Sequence, residues 1–130
     1  MNEMMKTMAA SASGMAAQAA RLRLSTENIA NADTPGYRRK TVSFEETFQH
    51  SGDMRAVVTG PVELDRAELA RIYDPTNPLA GPDGYYDGSN VNMIVEIADA
   101  REANRSYEAN LRMFDQARQM AGALLDLLRR

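Results

Sequence analysis

Apolar residues return at alternating steps of four and three near the start of the chain, at Met1, Met5, Met8, Ala12, Met15, Ala19, Leu22 and Ile29, with Thr26 the one polar break. Such a pattern keeps its apolar side chains on one stripe of an α-helix and forms a heptad seam. The other faces carry Gln18, Arg21, Arg23, Ser25 and Glu27, and Gly14 is the strong helix-weakener inside. A helix of this length would run about 45 Å. It should stop at Asp33, Thr34, Pro35 and Gly36, because proline cannot continue the ladder and Pro-Gly at the centre of a turn signals type II geometry.

The same alternation returns near the other end at Met93, Ile97, Ala100, Tyr107, Leu111, Phe114, Ala121, Leu125 and Leu128, interrupted by Asn104 and Arg118. This second helix would span about 54 Å. Asn90 or Asn92 can cap it, Glu96 suits the positive end of its dipole, and Arg129 and Arg130 suit the other end. Asn104 reads as a register device and Arg118 as a snorkelling or paired cation.

All five prolines lie between the seams. Residues 40–44 and 55–59 are β-like and predict at most a small hairpin, while residues 73–90, dense in Asp-Pro, Asn-Pro and Asp-Gly pairs, read as a loop. The chain is thus predicted to be mainly α, with a helix over 1–33, an irregular or β middle over 34–91 and a helix over 92–130.

Composition sharpens this picture. Aromatic residues make up 6% and tryptophan is absent, so large core-fillers are scarce. Helices seamed largely with Ala and Met gain little by pairing alone, and adaptable Met surfaces suit other chains. The expectation is a helical hairpin that fully orders only within an assembly.

A net charge of −3 gives no general attraction to nucleic acid, and no apolar run is long enough to span a membrane. The start lacks the Leu- or Val-rich core of a secretory signal, so no cleaved signal peptide is expected.

Chemistry is thinly provided. With no cysteine and one histidine, thiolate zinc sites and cysteine nucleophiles are excluded. His50 sits in a solvated-looking stretch with no second ligand. Asp83, Asp87 and Gly88 imitate part of a calcium loop, but Tyr85 and Ile94 fall where ligands are needed. Glu45 and Glu46 point to opposite strand faces. Arg38, Arg39 and Lys40 form the one basic cluster and read as an exposed face or as ion-pair partners for a neighbouring subunit. No catalytic, metal or cofactor site is expected.

Residues 25–38, with Asn28, Ile29, Ala30 and Asn31 followed by Thr34, Pro35, Gly36 and Tyr37, resemble the N-terminal signature of the bacterial flagellar rod, hook and hook-filament axial proteins. Residues 73–80, Gly84, Tyr85, Asn90, Val91, Glu96 and residues 105–110 resemble the proximal-rod members of that family. Ser89 and Asn92 depart from the Pro and Asp common there.

The resemblance implies a structural subunit of the flagellar basal body, not an enzyme. It would be exported through the flagellar type III apparatus into a rod that spans the periplasm and carries motor torque to the hook. The terminal helices would pair as an antiparallel coiled coil and stack on other axial proteins. Asn28, Ile29, Asn31, Pro35, Gly36 and Tyr37 would mark the joint between helix and middle segment. Ile97, Asn104, Tyr107, Leu111, Phe114, Leu125 and Leu128 would serve subunit packing. A sister proximal-rod protein and a helical chaperone or adaptor are the alternative readings.

Overall fold

The computed structural model describes residues 3–49 and 54–130. Met1 of the first seam and His50 lie outside the described residues. Two long helices, α1 (Glu3–Ala30) and α2 (Met93–Leu128), enclose a middle segment of six short strands. These are β1 (Lys40–Thr41), β2 (Phe44–Gln49), β3 (Met54–Thr59), β4 (Glu63–Leu64), β5 (Arg71–Tyr73) and β6 (Tyr85–Asp87).

The helices touch in opposite chain order. Arg21 pairs with Asp99 at 3.2 Å, Gly14 faces Asn110, and Met4 and Thr7 share a groove with Ala117 and Met120. The approach at Gly14 is close, since a Cβ there would lie 2.9 Å from the Asn110 side-chain amide. Asn92 is the cap of α2, its Oδ1 accepting from the backbone N–H groups of Ile94 (3.0 Å) and Val95 (3.4 Å). Asn90, the other candidate, is used elsewhere.

The face that α1 buries is not its most apolar one. Ser11, Gly14, Ala17, Leu24, Ser25 and Asn28 are buried, while Ala12 and Ala19 are exposed and Met5 keeps half its surface. Along α2 the buried residues are Glu96, Ala103 and Ala117, with Asp99, Ser106 and Asn110 half-buried. On both helices the inward stripe is displaced by one residue from the seam read in the sequence, about 100° of helix turn. Small and polar groups meet where the backbones approach closely, and the bulkier apolar stripe lies beside that contact.

The three strand pairs are separate and antiparallel: β1 with β4, β2 with β3, and β5 with β6. The stretch 55–59 lies in β3 and pairs with β2, Phe44 opposite Thr59 and Glu46 opposite Val57, whereas of the stretch 40–44 only Phe44 joins that hairpin and Lys40 and Thr41 pair with β4 instead. The hairpin docks on α1 through buried Ala56 and through Ser13, whose Oγ accepts from the Val57 N–H at 3.0 Å.

The segment 73–90 is not all loop. Tyr73 and Tyr85–Asp87 are strand residues, because paired groups outweigh the intervening turns. The Tyr73 and Tyr85 rings lie 5.1 Å apart, and Arg71 pairs with Asp83 (3.0 Å) and Asp87 (3.4 Å). The carboxylates that imitate a calcium loop are therefore already committed to a guanidinium.

Candidate functional site: the polar joint between helix and middle segment

The densest set of specific interactions lies where α1 ends and α2 begins. Asn28 comes from the last turn of α1 and is only 1% exposed. Its Oδ1 accepts from the Lys40 N–H (2.9 Å) and the Tyr37 hydroxyl (2.8 Å), and its Nδ2 donates to the Lys40 carbonyl (3.0 Å). One amide thus pairs with the β1 backbone as a strand neighbour would. Burial pushes the Tyr37 hydroxyl above its ordinary range.

Between these partners the chain reverses over Asn31–Tyr37. Asn31 donates from Nδ2 to the Glu27 carbonyl (2.9 Å), satisfying an orphan acceptor at the helix end, and accepts from the Thr34 hydroxyl (3.1 Å). The Tyr37 N–H donates to the Thr34 carbonyl (3.2 Å), closing a turn with Pro35 second and Gly36 third. Gly36 has φ +74°, the type II turn that the sequence predicts. Its N–H reaches the carbonyls of Asp87 (3.2 Å) and Gly88 (3.1 Å), fixing the turn to β6. A Cβ at Gly36 would meet nothing within 4 Å, so only backbone strain opposes a side chain there. Gly36→Ala should cost about 1 kcal/mol and Gly36→Asn less, because Asn tolerates this conformation. Chemical denaturation checks the order, and equal stabilities would show that the turn relaxes freely.

Arg39 is the centre of the joint. Its Nε donates to Glu96, which is 0% exposed, Nη2 donates to Asp99 at 2.9 Å, and Nη1 lies 3.7 Å from Asp65. Burial alone would lower its pKa. The hydrogen bond and charge of Glu96, then Asp99 and Asp65, outweigh that and hold it above its ordinary value. Asp99 is shared with Arg21, which also reaches Glu102 at 3.5 Å. Lys40 pairs with Glu27 at 3.1 Å, and Arg38 donates to the carbonyls of Asp65 and Ala67. The basic cluster is therefore engaged within the chain, correcting its reading as an exposed face.

Residues 89 and 90 close the joint. The Ser89 hydroxyl donates to the Ala32 carbonyl, and Asn90 accepts from the Arg39 N–H (2.6 Å) while donating to the carbonyls of Asp65 (3.0 Å) and Ala67 (3.1 Å). Arg39, Glu96, Asp99, Arg21 and Asn90 are the site residues that sequence reasoning missed. The signals for them were an acid in the first turn of α2, a basic run just past the turn and, for Asn90 and Glu96, the resemblance to proximal-rod proteins, and none of these reports burial.

The remaining signature residues contribute no side chain to the polar network of the joint. Pro35 is exposed on the turn and Ile29 is half-buried. Ile97, Asn104, Tyr107, Leu111, Leu125 and Leu128 are all exposed and Phe114 is half-buried, while Ala103 occupies the inward position beside Asn104. Asn104 and Tyr107 instead line an outer groove of about 520 Å³ with Ala19 and Leu22. Among the described residues no cluster of three or more His, Cys, Asp or Glu could hold a metal, and no helix is long and apolar enough to cross a membrane.

Most of both helices and the turn that follows α1 fall inside stretches matched by family models, whereas Arg39 and Lys40 lie just beyond them. Residues 8–38 match the family model described as flagella basal body rod protein, and residues 83–127 match the one described as flagellar basal body rod FlgEFG protein C-terminal. The flagellar basal-body rod protein FlgC of Agrobacterium fabrum is 44% identical over 124 residues, covering 90% of this chain and 89% of that protein. FlgC of Salmonella typhimurium is 32% identical over 114 residues, covering 83% and 85%. FlgC of Bacillus subtilis is 32% identical over 139 residues, covering 90% and 93%. A helix pair locked at its base by the Asn28 and Arg39 networks, carrying both rod-protein signatures and similar to these relatives over most of its length, belongs to the FlgC family of flagellar basal-body rod proteins.

Proposed function

We propose that this rod protein works as a structural unit whose two helices act as an antiparallel coiled coil, held at a fixed angle to the middle segment and presenting apolar faces to neighbouring axial proteins. The observation that carries this reading is an inversion of packing. Inside the helix pair lie Ala, Gly, Ser, ion pairs and a single leucine, Leu24, among the described residues, while Ile94, Leu124, Leu125, Leu127 and Leu128 are exposed, Ile94 at 80% and Leu128 at 82%. Large apolar side chains left exposed at both ends of one helix mark faces made for contact. In this reading Ile97, Asn104, Tyr107, Leu111, Phe114, Leu125 and Leu128 serve packing between subunits.

Torque passes through such a rod by non-covalent contacts, and the buried joint keeps the helices and middle segment from turning against each other. No step of catalysis is involved. Delivery is through the flagellar type III export apparatus into a rod crossing the periplasm. A thinly cored helix pair suits that route, because it costs little to unfold.

The sequence contains no cysteine, which makes cross-linking selective. Ala19→Cys and Leu111→Cys place thiols on exposed outer positions of α1 and α2. In purified basal bodies each should cross-link to another axial protein, read as a mass-shifted band. A chain absent from the rod fraction, or present with both thiols solvent-reactive and uncross-linked, would overturn the reading.

A further inference from the structure

Glu96 engages Arg39 through Oε1 only. Its second oxygen, Oε2, is buried and has no hydrogen-bond partner among the described residues. A buried charged acceptor without a partner is costly, and native interiors satisfy such atoms with protein groups or ordered water. A cavity of about 70 Å³ lies against this carboxylate, walled by Glu96, Asp99, Arg21, Arg39, Lys40 and Ser25.

Charge selects the occupant. Three basic side chains and two carboxylates face the same small volume, so a cation meets the former and an anion the latter, both at short range. A neutral donor meets neither penalty. Size agrees, since one water needs about 10–15 Å³ of such space and two to four polar partners.

We propose that this cavity is a hydration site, where ordered water donates to Glu96 Oε2 and is positioned by the Ser25 hydroxyl and Asp99. Solvent then completes the buried ion pair. The inference concerns the joint within one chain and does not depend on which neighbours the rod supplies.

Oxygen-17 magnetic relaxation dispersion on the full chain detects waters that remain bound longer than the protein tumbles. The native chain should show such water, and Ser25→Val, which fills the cavity from α1 and leaves both ion-pair partners in place, should lose at least one. Circular dichroism verifies that the variant keeps its helices. An undiminished dispersion amplitude in folded Ser25→Val, or no long-lived water in the native chain, would overturn the proposal. Should Ser25→Val not fold, high-resolution density of the assembled native protein decides: a solvent peak about 3 Å from Glu96 Oε2 supports it, and a protein atom, or no peak, at that position overturns it.

Discussion

Arg39→Ala should unfold the base of the helix pair, at a cost of about 3–5 kcal/mol, the range for removing one partner of a buried ion pair. The size follows from asymmetry. Asp65 and Asp99 are half-buried and fall back on water or on Arg21 when the guanidinium goes, whereas Glu96 is fully buried and loses the one side chain that hydrogen-bonds to it. A small domain holds only about 5–15 kcal/mol in total, so the loss removes a large part of its stability. Urea denaturation followed by helical circular dichroism measures it. The double variant Arg39→Met with Glu96→Met removes both charges at similar volume and should recover most of the loss, giving a coupling energy between the two positions. A single-variant loss below about 1 kcal/mol would show that Glu96 reaches water or another partner once Arg39 is gone.

The joint and the helix pair were unequally legible in the sequence. The Pro35–Gly36 turn was readable because turn chemistry is local and a type II turn needs glycine third, whereas Asn28, Asn31 and Tyr37 entered as a joint only through the resemblance to the axial proteins. Arg39 and Glu96 were not readable as partners, because nothing in a basic run or a first-turn acid says that residues 57 positions apart will be desolvated together. Both helices were found, yet the inward face was placed one residue off on each. Periodicity identifies the most apolar stripe, and inference then assigns that stripe to the inside. Here close approach at Gly14, Ala103 and Ala117 admits only small residues, so the larger side chains are displaced outward. The β5–β6 pair escaped for a related reason. Its two strands are three residues each, with eleven residues rich in Pro, Gly, Asp and Asn between them, and the backbone pairing is supported by the side-chain set of Arg71, Tyr73, Tyr85 and Asp87.

That displacement separates two kinds of apolar position, and substitution should tell them apart. Leu125→Asp and Leu111→Asp lie on exposed surface of the isolated chain, at 56% and 41% of full exposure. Their effect on the fold should stay within about 0.5 kcal/mol, as for most surface changes, apart from the lower helix propensity of Asp. In an assembled rod the same carboxylates would be buried without partners, a penalty of several kcal/mol at every copy. The expected result is a chain with native-like helical content that is expressed and exported yet absent from purified rods, in cells that do not swim. Ala103→Asp should do the reverse, since Ala103 is fully buried against α1 and a carboxylate there breaks the helix pair before assembly begins. Ordinary motility with Leu125→Asp or Leu111→Asp would show that these outer faces stay in solvent within the rod. Loss of helicity from either would show that they belong to the intramolecular core after all.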